Sequence, residues 1–310
     1  MADQKLITIG IPVLNEELNI PILMSRLNLV IEEIGRRGFS VEILVNNNAS
    51  SDASGKLLDN WANSDPRVRI NHLPITVPFQ ESILGLLKRS TGDAFVLLQS
   101  DLQDPPEVLI DFISGWKSEQ KIVAGVIAKR REGVIQRIIR KVFYWLLRSF
   151  SDGKIIVGFQ DFYLIDRSIV DELKQLSPEG LFLRGHISSR FGYVQQVPYK
   201  RANRESGKSK FGFPDKYALA LDGLLLFGTR FIRTISTISF GVFCIGILGT
   251  IAIFISYLLG YRAAMHGWAS LGAILLTLLA LLGMTTGLIL EYLIRIYRFQ
   301  IFSGKKNQIN

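Results

Sequence analysis

Residues 94–107, AFVLLQSDLQDPPE, place two carboxylates and two side-chain amides in a short polar turn behind an apolar run. Phe95 to Leu98 has the length of a buried strand. The run stops at Gln99-Ser100-Asp101, and Pro105-Pro106 then opens a helix, since proline is tolerated in a first helical turn. Asp101 and Asp104 therefore belong to a turn at the carboxyl end of a strand, the edge where open α/β sheets bind ligands. A carboxylate there can hold a hard divalent cation, which can neutralise a diphosphate. For Asp104 the alternative is a helix cap receiving backbone N–H groups. Disulfides and cysteine-based metal sites are excluded: Cys244 is the only cysteine and lies in an apolar stretch. His72, His186 and His266 do not cluster, which argues against a zinc site.

The elements that must carry this turn follow from the preceding residues. LITIGI, residues 6–11, reads as a strand ending at Pro12. Asn15, Glu16 and Glu17 then open an amphipathic helix to about Arg37, acidic side chains in its first turn complementing the helix dipole. A strand over 41–45 leads into Asn46-Asn47-Asn48-Ala49-Ser50-Ser51-Asp52, a polar cluster read as a loop. A helix over 53–63, a strand over 68–73, a helix over 80–90 and the strand into Gln99 continue the alternation. Such alternation implies a largely parallel sheet with right-handed crossovers. Neither GxGxxG nor a P-loop lysine motif is present, so a nucleotide bound here would have to be gripped by other means.

The chain has 310 residues, 48% of them hydrophobic. That suits a soluble domain of about 200 residues plus an apolar part. Residues 235–260 hold no charge in 26 positions, and 268–290 none in 23. Each exceeds the roughly 20 residues a helix needs to cross a bilayer core. Arg230 and Arg233 precede the first stretch, and Arg295, Arg298, Lys305 and Lys306 follow the second, whereas the link between them holds only Arg262. The positive-inside rule then places both termini in the cytoplasm, at the inner (plasma) membrane. The N-terminus has no apolar h-region, so no cleaved signal is expected. Net charge is +9 and concentrated. Residues 129–148 carry seven cations against Glu132, and 184–216 carry eight against Glu205 and Asp215. In a membrane protein such blocks point to anionic headgroups or phosphate ligands; no groove-reading motif supports nucleic acid.

Together, PVLNEE after the first strand, NNNASSD after the second and SDLQDPPE after the fourth resemble, in order and spacing, the glycosyltransferase family 2 catalytic domain of GT-A fold. With two C-terminal spans they resemble more closely the polyisoprenyl-phosphate glycosyltransferases, the dolichol-phosphate mannosyl- and undecaprenyl-phosphate glucosyl- and aminoarabinosyltransferases. The resemblance implies that Pro12, Asn15 and Glu16 line the nucleotide pocket. Asn47 stands where the family has an aspartate reading the base, and Asp52 closes that loop. Asp101 matches the second aspartate of the DxD that binds Mg2+ or Mn2+, with Gln103 nearby. Gln99 replaces the first aspartate and offers the cation an amide oxygen of less charge.

The same resemblance extends downstream. A basic amphipathic helix over 134–151, with Ile135, Ile138, Ile139, Val142 and Leu146 on one stripe, suits an anionic membrane surface. Arg130 and Arg137 occupy positions that hold the lipid phosphate in the family. Asp161, in GFQDFYLIDR, matches an acidic residue close to the reacting sugar. Residues 199–211 match Y-x-R-x-x-R-x-x-G-x-S-K-[YF], so that Arg201, Arg204 and Lys210 can fold over a diphosphate, Arg by bidentate contacts and Lys as a point charge.

The expected architecture is an α/β GT-A domain over 1–210, a mostly parallel sheet flanked by helices. An interfacial helix over 211–233, a two-helix transmembrane hairpin over 234–294 and a basic cytoplasmic tail over 295–310 complete it. The expected activity is inverting transfer of a sugar from a nucleotide-diphosphate sugar, UDP-glucose or a related UDP-sugar, to a polyprenyl phosphate such as undecaprenyl phosphate. GDP-mannose-dependent mannosyl transfer and a catalytically weak membrane adaptor are the alternatives. Homo-oligomerisation is left open.

Overall fold

The computed structural model describes residues 4–128, 160–178, 181, 183–191, 194–202, 229–259 and 267–303. They fall into two compact units.

The first unit is organised on β1 (Leu6–Val13). Its alternating Ile7, Ile9 and Ile11 are wholly buried on one face, the period of two expected of a strand. On the other face Gly10 lies against the Phe95 ring; a Cβ at Gly10 would sit 2.4 Å from Phe95 Cζ. Along its whole length β1 pairs in parallel with β2 (Ser40–Asn47), from Leu6 opposite Ser40 to Val13 opposite Asn47. β3 (Val68–His72) extends that side, and β4 (Ala94–Leu97) lies on the other. With β5 (Ile122–Ile127), β6 (Tyr163–Asp166) and β7 (Gln195–Tyr199) the order is β3-β2-β1-β4-β6-β5-β7. Among the described strands β6 alone is antiparallel, to β4 and β5 alike.

Helices cover both faces. α1 (Ile20–Arg36) and α4 (Leu109–Lys117) bury Leu23, Leu27, Ile34, Phe112 and Ile113 in one layer with Ile9, Val45 and Val96. α2 (Ser54–Ser64) adds Leu58 and Trp61 to it. The opposite layer joins α3 (Phe79–Arg89), α5 (Arg167–Leu173) and α6 (Leu183–Phe191) over Phe95, Leu97 and Ile165. A buried side chain of this size contributes about 1.5–3 kcal/mol, so the two layers make the strand ends a firm platform.

Among the described residues the second unit is a pair of long helices, α7 (Thr229–Leu258) and α8 (Gly267–Ser303). Each contains a window, Thr237–Ser256 and Leu271–Leu293, long and apolar enough to cross a membrane. A core helix of a soluble protein would bury such windows, yet Ile245, Leu248 and Leu282 are each more than 60% exposed. Small residues meet where the helices touch. A Cβ on Gly246 would lie 3.2 Å from Thr277 Cα, and one on Gly283 would lie 3.0 Å from Ser239 Oγ.

Several boundaries differ from the sequence expectation. α1 begins at Ile20 with Pro21 in its first turn, because Asn15, Glu16 and Glu17 are bonded to the loop after β2 instead of starting the helix. Asn46 and Asn47 are the last residues of β2, not loop. Their polar side chains are satisfied in place: Asn46 donates to Ser82 O at 2.7 Å and accepts from Asn71 at 2.9 Å. The double proline leads first into a 3-10 turn, Pro106–Val108, and only then into α4. β6, four residues long, was not anticipated as a strand.

Candidate active site

The turns after β1 and β2 interlock at the carboxyl edge of the sheet. Asn15 N–H donates to Ser50 Oγ at 2.9 Å and Ser51 N–H to Asn15 Oδ1 at 2.7 Å. Glu16 N–H donates to Ser54 Oγ at 2.8 Å, and Ala53 N–H to Glu17 Oε2 at 2.8 Å. Asp52 receives Ser54 N–H at 2.9 Å and Glu17 N–H at 3.2 Å. Burial works against its charge, but these bonds outweigh it and lower its pKa. Pro12, the penultimate residue of β1, lies at this edge, its carbonyl accepting from Ser100 Oγ at 3.1 Å, which ties the turn after β4 to β1.

Asn47 is buried. Its Nδ2 lies 3.0 Å from His72 Nδ1, and its Oδ1 accepts from Ser50 N–H at 3.2 Å. With Nδ2 donating, His72 Nδ1 is an acceptor, and Nε2–H points to Asp59 Oδ1 at 2.9 Å. His72 is a partner that motif reading missed; its only signal was its place at the end of the third strand.

The acidic turn follows β4. Asp101 is 8% exposed and its Oδ1 accepts from Gln103 N–H at 3.1 Å. Leu102 has φ +57° and is fully buried, so a left-handed backbone is pinned there by its side chain. Asp104 is not the cap of the following turn: Pro105 holds that position without a side-chain bond. Instead Asp104 Oδ1 accepts from the Tyr199 hydroxyl and lies 3.4 Å from Arg201 Nε. Burial raises the Asp104 pKa; Arg201 and Tyr199 draw it back, while the Asp101 and Asp161 carboxylates push it further up.

The reversed direction of β6 accounts for Asp161. The residues just before the start of an antiparallel strand, here Asp161 and Phe162, reach the same rim as the residues after the ends of the parallel ones. Gln99 Nε2 accordingly donates to the Asp161 carbonyl at 3.4 Å. The Asp161 side chain pairs with Arg184 of α6, Nε to Oδ1 3.3 Å. Burial pushes its pKa up, against the pull of the Arg184 charge and a bond from the Gln80 side chain. The phenol of Tyr163 is raised well above its ordinary value by burial and by the Asp161 charge. Arg184 and Gln80 were not singled out by motif; Arg184 entered only as one cation of the block 184–216.

The structure thus brings Pro12, Asn15, Glu16, Asn47 and Asp52 to one stretch of rim, and Gln99, Asp101, Gln103, Asp161 and Arg201 to the neighbouring one. Arg130, Arg137, Arg204 and Lys210 lie outside the described residues. Among the described residues no three His, Cys, Asp or Glu side chains form a cation cage. The donors at the turn are oxygens, the Asp101 carboxylate and the amides of Gln99 and Gln103. Hard oxygen donors suit Mg2+ or Mn2+, and Mg2+ is ordinarily held by one or two carboxylates, with waters and substrate phosphates completing the shell. The residues fit a site that substrate completes.

A mostly parallel sheet with flanking helices and a polar rim of carboxylates beside Arg201 defines an α/β enzyme of GT-A type. The family model Glycosyl transferase family 2 matches residues 8–173, and the chain belongs to that family. It is a glycosyltransferase. It is 32% identical over 302 residues to the bactoprenol glucosyl transferase of Shigella phage SfX, covering 94% of both chains. It is also 32% identical over 293 residues to the glycosyltransferase YkcC of Bacillus subtilis, covering 94% of this chain and 89% of that one. Among solved structures, the mannosyltransferase PcManGT of Pyrobaculum calidifontis, in complex with GDP-Man and Mn2+, shares the fold. The TM-score is 0.51 at 15% identity, over 75% of this chain and 65% of that one.

Proposed function

We propose that the chain transfers one sugar from a nucleotide-diphosphate sugar, UDP-glucose or a related UDP-sugar, to the phosphate of a polyprenyl carrier, with inversion. The observation that carries this reading is the meeting of the acidic turn with the foot of the basic segment, Arg201 on Asp104, at the carboxyl edge of the sheet. The chain-long likeness to a bactoprenol glucosyl transferase supports glucose and a polyprenyl acceptor. The exposed apolar windows of α7 and α8 support membrane attachment, and the basic flanks support cytoplasmic termini.

The acceptor oxygen needs little activation, since the second pKa of a phosphate monoester is about 6. Bringing two anionic groups together and stabilising the departing nucleoside diphosphate are the larger barrier terms. Arg201, Arg204 and Lys210 neutralise the donor diphosphate, and Arg130 and Arg137 hold the lipid phosphate. A divalent cation, held by Asp101 with Gln99 and Gln103, supplies further charge neutralisation at the diphosphate when bound. The acceptor oxygen forms the new bond to the anomeric carbon as the bond to the diphosphate oxygen breaks, in line. Asp161, buried and paired with Arg184, orients the sugar and is not an obligatory base.

Membranes containing the protein, supplied with UDP- and GDP-sugars, undecaprenyl phosphate and Mg2+ or Mn2+, test the reading by lipid-extractable sugar. UDP-glucose is expected to be the best donor; transfer from none of them overturns it. Asp101→Ala is expected to abolish transfer without impairing membrane insertion, and full activity in that variant with metal present overturns the metal assignment. Arg137→Ala should raise the KM for polyprenyl phosphate far more than that for the donor. The reverse pattern would move the acceptor site elsewhere.

A further inference from the structure

We propose that Asp104 is a positioning residue, whose buried carboxylate sets Arg201 for the donor diphosphate and couples the turn after β4 to the segment after β7. The proposal rests on the reading of Arg201 as a diphosphate ligand and adds the residue that places it.

Asp104 is 1% exposed, yet it caps no helix and is not the DxD aspartate. One oxygen, Oδ1, serves both Tyr199 and Arg201; the other, Oδ2, is buried with no hydrogen-bond partner among the described residues. Beside this pair Ala202 N–H donates to Gln103 O at 2.9 Å. Residues 199, 201 and 202 are therefore each tied to residues 103–104, by two side chains and one backbone bond.

Tyr199 is itself fixed by its surroundings. Its ring meets that of Phe162 edge-on, 5.4 Å between centroids at 75°. Gly125 leaves the space both occupy: a Cβ there would lie 2.8 Å from Phe162 Cδ1 and from Tyr199 Cε1. Phe162 directly follows Asp161. The clasp thus shares a wall with the group nearest the reacting sugar.

The chemistry of the pair favours positioning over charge. A guanidinium is a rigid fork of five N–H donors, and a contact at Nε fixes its plane while the terminal nitrogens remain for a phosphate. The Arg201 side chain stays 33% exposed, so a ligand can still reach it. A carboxylate next to a diphosphate site is otherwise a liability, because like charges repel. If Asp104 acted only through its charge, Asp104→Asn would tighten diphosphate binding. A positioning role has the opposite sign.

The test uses the full-length protein in detergent, with UDP and Mn2+ as the binding probe and UDP-glucose and undecaprenyl phosphate for turnover. Asp104→Asn is expected to weaken UDP and to raise the KM for UDP-glucose about tenfold, the scale of one misplaced charge-assisted contact. The KM for undecaprenyl phosphate should not move. Arg201→Gln should give a similar loss, and the double variant no more than Arg201→Gln alone. Tyr199→Phe, which removes the second donor to the same oxygen, should weaken UDP about threefold. It serves as the test if Asp104→Asn does not fold. UDP binding unchanged or tighter in Asp104→Asn, unchanged in Tyr199→Phe, or multiplicative losses in the double variant each overturn the proposal. Unchanged UDP binding in Arg201→Gln would instead overturn the reading of Arg201 itself.

Discussion

Asp161 is held where its charge is disfavoured. Burial raises its pKa, and Arg184 and Gln80 draw it only part of the way back. Removing the Arg184 charge removes a lowering influence, so Arg184→Gln pushes the Asp161 pKa further up. An isotope-edited NMR titration of the Asp161 carboxyl, parent against variant, should show its midpoint displaced upward. The same shift bears on stability. With a folded pKa above the ordinary aspartate value, the contribution of Asp161 is fully present below that ordinary value and lost as pH rises through the folded one. Asp161→Asn should therefore unfold at neutral pH no earlier than the parent in a thermal melt, while transferring less sugar. At this scale the sequence showed the carboxylates and not their partners. Asp101 and Asp161 lie in recognisable motifs, but Gln99 reaches Asp161 across 62 positions, and Arg184 meets it only because of where α6 packs.

At the scale of elements, strained backbone gathers at the rim. Asn15, Ala49 and Leu102 have φ of +50°, +54° and +57°, one in each turn after β1, β2 and β4. Asn tolerates this region, and Leu102 is held by complete burial. Ala49 has no such compensation, and a left-handed conformation costs an L-residue about 1–2 kcal/mol. Ala49→Gly relieves it, less about 0.4–1 kcal/mol for the freer unfolded chain. A net gain of about 0.5–1 kcal/mol should appear as a higher denaturant midpoint. Gly10→Ala should do the reverse, losing about 1–3 kcal/mol by the same measurement, because its Cβ falls on the fully buried Phe95 ring. β1, β2 and β4 were legible as apolar runs closed by polar turns. β6 was not, because a four-residue apolar segment carries no period of its own and its place is set by β4 and β5.

For the whole molecule, composition alone located the two apolar helices, since a long uncharged stretch has few other uses. Their contact was not legible, being a matter of which glycines face which small side chains. Gly246→Leu should part α7 from α8, since even a Cβ there would lie 2.6 Å from Thr277 Oγ1. Disulfide trapping between cysteines placed at Ser239 and Gly283, with Cys244 replaced by serine, should succeed in the parent and fail with the added leucine.

The lone antiparallel strand also governs the order of assembly. β6 stands between β4 and β5, although it follows both in the chain. While the polypeptide leaves the ribosome, β5 emerges with no neighbour to join until residues 163–166 arrive, and β7 can only dock after that. Long-range pairings of this kind form late and slowly. A nascent chain stalled before residue 160 therefore carries the DLQDPPE turn but lacks β6 and β7, so the sheet that frames that turn is incomplete.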